Sequence, residues 1–242
     1  METNRKISNI QQNIYAEYEK EATIGYFEIY KTFINTFENK NLEIVDIGGG
    51  SGYFANEVKT FYESKNNNVS MTVIDYCKYD EWEKYGNINF INLPVFEALE
   101  KIENECLDII FINAVLHHLV YSTYKKTRNA QKQLMGLAYT KLKKNGYVCI
   151  RECYVENPVI KELSIPLVYW LTSSKNPLIL RMSKKLGSNS AGVGVCFLSI
   201  KKLVRLFGQT GFEIMLGAPN MPWEWDKKYL IRHNKSVFVL KK

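Results

Sequence analysis

Residues 42–53 read Leu-Glu-Ile-Val-Asp-Ile-Gly-Gly-Gly-Ser-Gly-Tyr, an apolar run followed by a cluster of glycines. The apolar run that ends at Ile47 is typical of a buried strand. Four glycines follow: Gly48, Gly49, Gly50 and Gly52. They predict a tight turn whose backbone can approach a ligand with no side chain between. Apolar residues at helical spacing run from Phe54 to Tyr62. A strand, a glycine turn and a helix form the first unit of a nucleotide-binding α/β sheet.

The residues around this turn narrow the class of ligand. A dinucleotide site of the G-x-G-x-x-G type needs a third glycine, and Tyr53 stands in that place. Asp46, two residues before the first glycine, would repel a pyrophosphate but can accept hydrogen bonds from an amino-bearing or cationic ligand. Tyr53 and Asp46 therefore disfavour a nicotinamide-dependent dehydrogenase, which stays open as a less favoured hypothesis.

A second acidic residue follows the next predicted strand. Met71-Thr-Val-Ile-Asp75 is an apolar run that ends in a carboxylate, 25 residues after Gly50. An acid about 20 residues or more beyond a glycine turn hydrogen-bonds ribose hydroxyls in nucleotide-binding folds. The turn and Asp75 are therefore predicted to contact one nucleoside.

Strands and helices alternate along the rest of the chain, which predicts a parallel sheet. The later predicted strands cover 88–92, 107–113, 147–152, 211–216 and 236–240. The strand over 107–113 is nearly all apolar and is expected to be central. A helix over 126–143 is expected to stop at Asn145-Gly146. The 19-residue link between the last two strands predicts an antiparallel pair.

Two segments fall outside this alternation. Residues 1–40 carry apolar side chains at helical spacing and predict N-terminal lid helices. Residues 153–196 predict an inserted helical cap for the substrate, with a mobile glycine-rich loop. The sheet domain then comprises 41–152 and 197–242.

The positive charge is concentrated in one region. Residues 163–212 contain seven basic side chains and no Asp or Glu, which accounts for the net charge of +7. A region of one charge sign attracts anionic partners. The alternative is a solvated helix face without a partner. A nucleic-acid partner is not expected, because the sequence carries no recognition motif.

Composition limits the class of protein further. The 242 residues are 46% hydrophobic, which suits one large domain with a full core. No apolar run reaches the length of a membrane span, so no membrane partner is expected. The N-terminus lacks the apolar core of a signal peptide. The five cysteines lie mostly in strand-like runs, typical of reduced thiols in the cytoplasm, and no metal site is expected.

Four motifs in the right order resemble those of class I S-adenosylmethionine-dependent methyltransferases of the small-molecule type. Asp46-Ile-Gly-Gly-Gly-Ser-Gly52 resembles their D-x-G-x-G-x-G turn. Leu107-Asp-Ile-Ile-Phe-Ile-Asn-Ala-Val-Leu-His-His-Leu119 resembles their fourth strand and its Leu-His-His-Leu turn. Leu142-Lys-Lys-Asn-Gly146 resembles their Leu-Lys-Pro-Gly-Gly turn. Phe197-Leu-Ser-Ile, with Gly211-Phe-Glu after it, resembles their last helix and the strand that follows.

The resemblance implies a Rossmann-like sheet of seven strands, mostly parallel with the last strand antiparallel, and helices on both faces. It also implies S-adenosylmethionine as the cofactor and S-adenosylhomocysteine as the product. The predicted cofactor-binding residues are Asp46, Gly48, Gly49, Gly50, Gly52, Asp75, Tyr76, Asn92, Val95, Phe96, Asn113 and Ala114. The chain departs from the family where Asn92-Leu-Pro-Val95 replaces the usual Gly-Asp that meets adenine.

Methyl transfer from a sulfonium has a neutral leaving group, so the enzyme mainly aligns the reactants and excludes water. A hydroxyl acceptor benefits from a base, whereas a carboxylate needs only a positive clamp. The predicted catalytic residues are His117, Arg151 and Tyr154. His117 is a candidate base and Arg151 a candidate carboxylate clamp. The structural alternatives are a packed or cofactor-shaping histidine and an ion pair of Arg151 with Glu152 or another acid.

The predicted substrate-binding residues are Tyr15, Tyr18, His118 and Arg181. The leading hypothesis is O-methylation of an anionic small molecule or of a peptide carboxylate in natural-product biosynthesis. The alternatives are N-methylation of a small metabolite and a catalytically silent module that binds the cofactor.

Overall fold

The computed structural model describes residues 25–35, 37, 41–156, 163–185, 190–219, 225–226 and 231–242. Tyr15 and Tyr18, with the first of the predicted lid helices, lie outside these described residues. Part of the predicted glycine-rich loop of the cap, residues 187–189, also lies outside them.

The described part of the chain forms eight strands. They are β1 (Asn41–Ile47), β2 (Asn68–Asp75), β3 (Asn89–Asn92), β4 (Leu107–Asn113), β5 (Leu142–Glu156), β6 (Glu213–Pro219), β7 (Trp225–Asp226) and β8 (Ile231–Lys241). The helices of the same ranges are α1 (25–34), α2 (Tyr53–Glu63), α3 (Val95–Glu100), α4 (Tyr124–Lys141), α5 (Ser164–Ser173), α6 (Pro177–Lys185) and α7 (Ile200–Thr210). Two short 3-10 helices cover Asp80–Lys84 and Leu116–His118.

The sheet has the strand order β3-β2-β1-β4-β5-β8-β6. Strands β1 to β5 pair in parallel, and β8 runs antiparallel to both β5 and β6. This confirms the predicted seven-stranded sheet with its last strand antiparallel, and the short β7 adds one further antiparallel pairing to β8. The order reverses between β1 and β4, and ligands of open α/β sheets bind at the carboxyl ends of the strands beside such a reversal.

Apolar residues cover both faces of the sheet, as the continuous apolar sequence of β4 predicts. Ile110 and Ile112 of β4 pack on the side of α3, α4 and α7. Ile109 and Phe111 alternate with them and pack on the side of α1 and α2, where Phe111 meets Phe54 edge to face. Because helices cover both faces of the sheet, a ligand-binding site is expected at its carboxyl edge.

The connection between α4 and β5 differs from the prediction. Helix α4 ends at Lys141, and β5 begins at Leu142 instead of Tyr147. Asn145 takes a left-handed conformation with φ 66°, and its N–H donates to the carbonyl of Lys242 at 3.1 Å. Pairing with the end of the chain thus draws the predicted turn into the sheet, and the β4–β5 register shifts at this place.

Helices α5 and α6 occupy the segment predicted to form a cap. Tyr169 of α5 donates a hydrogen bond from its hydroxyl to the carbonyl of Tyr121 at 2.8 Å. Ser183 of α6 donates to the carbonyl of Leu171 at 3.3 Å. These contacts hold the two helices to each other and to the loop that precedes α4. Within the described ranges, none of the helices is both long and apolar enough to cross a bilayer.

Candidate functional site

The glycine turn after β1 has the backbone conformation that its sequence predicts. Gly48, Gly50 and Gly52 have φ values of 69°, 53° and 83°, a left-handed region that side chains with a Cβ rarely adopt. The N–H of Gly48 donates to the carbonyl of Ile74 at 2.7 Å, which ties the turn to β2. Helix α2 begins at Tyr53, so its N-terminal end follows the turn directly.

Asp46 lies beneath this turn and is only 1% exposed. A Cβ at Gly49 would stand 2.5 Å from its Oδ2 and 3.0 Å from Val73. Gly49 therefore allows the turn to close over the carboxylate of Asp46. The contact explains why the turn needs a glycine at 49 as well as at the left-handed positions.

Asp75 ends β2 and contacts the same turn. Its Oδ2 accepts the N–H of Gly50 at 3.1 Å, and its Oδ1 accepts the N–H of Cys77 at 2.9 Å. Burial raises the pKa of Asp75, while these N–H donors act in the opposite direction. Asn92 at the end of β3 donates from Nδ2 to the Asp75 carbonyl at 3.1 Å. The structure thus brings three predicted cofactor residues into one hydrogen-bonded group.

Trp82, which sequence reasoning missed, completes this group. Its indole N–H donates to the carbonyl of Gly50 at 2.8 Å. Its ring stacks on Phe90 of β3 with centroids 4.7 Å apart. A Cβ at Gly52 would meet the same Phe90 ring at 2.8 Å. The only signal in the sequence was the aromatic content of the loop over 77–86.

Replacing Trp82 by phenylalanine should weaken binding of S-adenosylhomocysteine about fivefold. The ring stacking on Phe90 is kept, but the Gly50 carbonyl loses a donor whose net value is about 1 kcal/mol. Isothermal titration measures the effect. Trp170→Phe, on the exposed face of α5, is the matched control and should leave the affinity unchanged. Equal affinities for both variants would contradict the role given to Trp82.

The remaining predicted cofactor residues occupy different environments. Tyr76 is exposed beside Asp75, and Val95 is half-buried at the start of α3. Phe96 is buried in the core under the sheet, which argues against a side-chain contact with adenine. Asn113 ends β4, and Ala114 follows it in a left-handed conformation with φ 58°.

A residue of the N-terminal helix fixes Asn113. The hydroxyl of Tyr30 donates to Asn113 Oδ1 at 3.0 Å. Tyr30 is fully buried, and burial raises its pKa well above the ordinary value, so the hydroxyl remains a donor. Helix α1 therefore supports the carboxyl end of β4, which the sequence did not indicate.

His117 forms a buried pair with Glu152. Its Nδ1 contacts Glu152 Oε1, which also accepts the N–H of Cys153 at 2.7 Å. The His117 ring stacks on Phe197 with centroids 5.1 Å apart. No hydrogen bond joins His117 Nε2 to the described part of the chain, and the side chain keeps 9% exposure. The pair holds the imidazole in one plane with Nε2 directed away from the carboxylate.

Glu152 therefore pairs with His117 and not with Arg151, a pairing that the sequence left open as a structural alternative. Successive residues of a strand point to opposite faces, so Arg151 lies on the other side of β5. Its guanidinium stacks on Tyr26 of α1, with Cζ 4.8 Å from the ring centroid. Arg151 is buried there, next to the edge where β4 ends.

His118 differs from its neighbour. It is exposed to solvent. Desolvation and the neighbouring His117 ring, 4.0 Å away between centroids, lower the pKa of His118 well below the ordinary value.

Two predicted site residues lie elsewhere. Tyr154 is completely buried in the core on the α7 side of the sheet, which argues against the catalytic role predicted for it. Arg181 lies on the exposed side of α6. The sequence predicts both near the acceptor, but it carries no information on which face of the strand or helix each side chain occupies.

His117, Glu152 and Cys153 also satisfy a distance criterion for metal ligands. One ligand atom from each lies within 4.8 Å of the others. Burial and the charge of Glu152 raise the pKa of Cys153 to about 12, so the thiol stays protonated at neutral pH. Glu152 Oε1 already contacts His117 Nδ1 and accepts the N–H of Cys153, an arrangement that suits a histidine–carboxylate pair.

A family model described as "Methyltransferase domain" matches residues 18–216. No protein among those with curated functions has a significantly similar sequence. Among solved structures, the chain is similar to a Burkholderia thailandensis 1,6-didemethyltoxoflavin-N1-methyltransferase with S-adenosylhomocysteine bound. The identity is 14%, the TM-score is 0.54, and the match covers 96% of this chain and 87% of that one.

Two further structures show the same fold. Phosphoethanolamine N-methyltransferase 2 of Haemonchus contortus, in complex with S-adenosyl-L-methionine, is 14% identical over 90% of this chain, with a TM-score of 0.57. A putative O-methyltransferase of Nostoc punctiforme is 13% identical over 96% of this chain, with a TM-score of 0.56. The chain spans 52% and 58% of the lengths of these two proteins.

The family model covers most of the chain, including the glycine turn, Asp75 and the β4 motif. The Burkholderia thailandensis and Haemonchus contortus structures share the fold and contain the product and the cofactor, respectively. The chain is therefore a member of the methyltransferase-domain family and an S-adenosylmethionine-dependent methyltransferase.

Proposed function

We propose that this methyltransferase acts on an oxygen, a hydroxyl in the first instance, of an anionic small molecule. The observation that carries the proposal is the buried His117–Glu152 pair. A carboxylate behind an imidazole is the arrangement of a general base, and a hydroxyl acceptor is the group that gains most from one. An amine with a free lone pair or an ionised carboxylate gains little.

The residues at the carboxyl edge fit the cofactor. When bound, S-adenosylmethionine supplies a methyl group on a positively charged sulfur and leaves as a neutral thioether. The glycine turn would hold it close to the backbone, and the lone pairs left on the Asp75 carboxylate suit ribose hydroxyls. Asn92 and Val95 would border the adenine. Asn113 and Ala114 would border the part that carries the sulfur.

His117 would take the proton of the acceptor hydroxyl at Nε2. Glu152 holds the tautomer with the proton on Nδ1 and stabilises the imidazolium that forms. The N–H of Cys196 donates to the His117 carbonyl at 2.8 Å and fixes the backbone beneath the ring. The protein thus fixes the base before the acceptor binds, and such positioning supplies a large part of the rate enhancement in a displacement of this kind.

The anionic character of the acceptor is supported by charge. Arg151 lies next to the end of β4 and projects to the α1 side. The cap helices and the following segment carry exposed basic side chains and no acid between 163 and 212, and their positive field attracts anionic molecules to this part of the protein. Helix α1 and the segment 153–196 would act as the lid that excludes water, with 41–152 and 197–242 as the cofactor domain.

The alternatives differ in the atom that accepts the methyl group. A peptide carboxylate would use Arg151 as a clamp and would not need the base. N-methylation is the activity named for the Burkholderia thailandensis and Haemonchus contortus structures that share the fold. A silent module would bind the cofactor without forming any methylated product.

The test is transfer of an isotopically labelled methyl group to a panel of aromatic hydroxy acids. Each acid is matched with its neutral amide, its O-blocked ether and its amino analogue. We expect label in the hydroxy acid, less in the amide and none in the ether. The label should resist mild alkali, because ethers do and methyl esters do not. Alkali-labile label would indicate a carboxylate acceptor, and label confined to the amines would indicate N-methylation. Each of these results contradicts the proposal, as does binding of S-adenosylhomocysteine without any product.

A further inference from the structure

The outer side of α5 carries an apolar stripe. Leu163, just before the helix, Leu167 and Trp170 are spaced by four and three residues and therefore share one side. They are 73%, 46% and 54% exposed. The opposite side, with Ile165 and Tyr169, is buried against the body of the protein. The stripe is therefore the solvent-facing side of a helix whose other side is packed against the protein.

Helix α6 repeats this arrangement and adds charge. Leu178 and Met182, one turn apart, are 78% and 49% exposed. Arg181, Lys184 and Lys185 are exposed beside them. The inner side of α6 places Leu180 against Gly192, whose added Cβ would stand 2.9 Å away. The exposed side chains of both helices are here called the hairpin surface: Leu163, Leu167, Trp170, Lys175, Leu178, Arg181, Met182, Lys184 and Lys185.

We propose that the hairpin surface binds the anionic surface of a phospholipid membrane. Helices with exposed leucine and tryptophan beside lysine and arginine lie in the interface, with apolar side chains among the acyl chains and cations among the headgroups. At ten and nine residues, α5 and α6 are too short to cross a bilayer but long enough to lie on one. No Asp or Glu from 163 to 212 opposes this attraction.

The combination of side chains favours lipid over other anionic partners. A nucleic acid would use the basic residues but would leave Leu163, Leu167 and Leu178 in water. The sequence predicts no membrane partner because its apolar runs are short. The length of an apolar run, however, indicates whether a segment can cross a bilayer and not whether it can lie at the surface. This inference does not depend on the acceptor or on the role of His117.

Vesicle sedimentation tests the proposal with the full chain. Vesicles of phosphatidylcholine mixed with phosphatidylglycerol should sediment the protein at low salt, and vesicles of phosphatidylcholine alone should not. Each cation near an anionic surface is worth about fivefold in partitioning, so reversing Lys184 and Lys185 together to Glu should lower binding more than tenfold. Reversing Lys125 and Lys126, an exposed pair on α4, is the matched control and should change binding much less.

The apolar stripe is tested separately with Leu167→Ser and Trp170→Ser, which replace exposed side chains and leave the core intact. Each should lower vesicle binding severalfold while the affinity for S-adenosylhomocysteine stays constant. Absence of binding to the mixed vesicles would overturn the proposal. Loss through charge reversal alone, with both serine variants binding normally, would indicate a soluble polyanion and would also overturn it. A dimer in solution that Leu167→Ser dissociates would assign the surface to self-association instead.

Discussion

Asp75→Ala should bind S-adenosylhomocysteine about ten- to a hundredfold more weakly than the unchanged protein. The carboxylate accepts hydrogen bonds from the N–H groups of Gly50 at 3.1 Å and Cys77 at 2.9 Å. Its loss therefore releases both the glycine turn and the start of the loop after β2. The proposed acceptor for the ribose hydroxyls disappears at the same time. Hydrogen bonds to a charged group contribute about 1.5–3 kcal/mol each, and the loss of one such bond to the ligand already gives this range.

Isothermal titration is the measurement, and two variants make it specific. Asp80→Ala removes an exposed carboxylate five residues further along and should leave the affinity unchanged. Asp75→Asn retains the shape and one acceptor oxygen, so its affinity should fall between those of Asp75→Ala and the unchanged protein. If Asp75→Ala folds and binds S-adenosylhomocysteine with unchanged affinity, the assignment of the carboxyl edge of the sheet as the cofactor site is wrong.

The relative positions of the candidate cofactor residues Asp75, Asn92 and Asn113 were predictable because strand ends set them. Each is the last residue of its strand, and parallel strands bring such positions to one edge. The β1–β2 register pairs Asp46 with Val73 and therefore places the glycine turn beside Asp75. Nothing beyond the strand limits was needed for that prediction.

The catalytic half was less predictable because it depends on which face a side chain occupies. Arg151 and Glu152 are neighbours in sequence, and this adjacency left an ion pair between them open as a structural alternative. Strand alternation separates them and turns Glu152 to His117, 35 residues earlier in the chain. Once 147–156 is known to continue as one strand, the alternation alone would exclude the Arg151–Glu152 pair.

The same limit applies to the aromatic and apolar residues. Trp82 is 32 residues from Gly50, and no local periodicity links an aromatic loop to the turn that it covers. The stripe at Leu163, Leu167 and Trp170 has the spacing of a core-facing helix side, yet it faces solvent. Periodicity identifies a side of the helix but not what packs against it.

His117→Ala should lower kcat for a hydroxyl acceptor by about 10²- to 10⁴-fold, the usual contribution of a general base. The affinity for S-adenosylhomocysteine should stay nearly constant, because none of the hydrogen bonds that join Gly50, Asp75, Asn92 and Trp82 involves this ring. His118→Ala is the matched control. It removes the neighbouring imidazole, whose ring centroid lies 4.0 Å from that of His117, and its effect on kcat should be much smaller.

Added imidazole separates a lost base from a lost structural contact. The alanine at 117 leaves space beside Phe197 and Glu152, and imidazole bound there should restore part of kcat in a concentration-dependent manner. A merely structural role for His117 would show no such rescue.

Glu152→Gln tests the contribution of the negative charge beside His117. Cys153 N–H donates to Oε1 at 2.7 Å, so the glutamine should keep its carbonyl oxygen in that place and preserve the His117 tautomer. Only the negative charge is then lost, and kcat should fall by about 10²-fold, toward the lower end of the range for His117→Ala. Full activity of Glu152→Gln, with His117→Ala inactive, would show that the carboxylate orients the ring without stabilising its charged form.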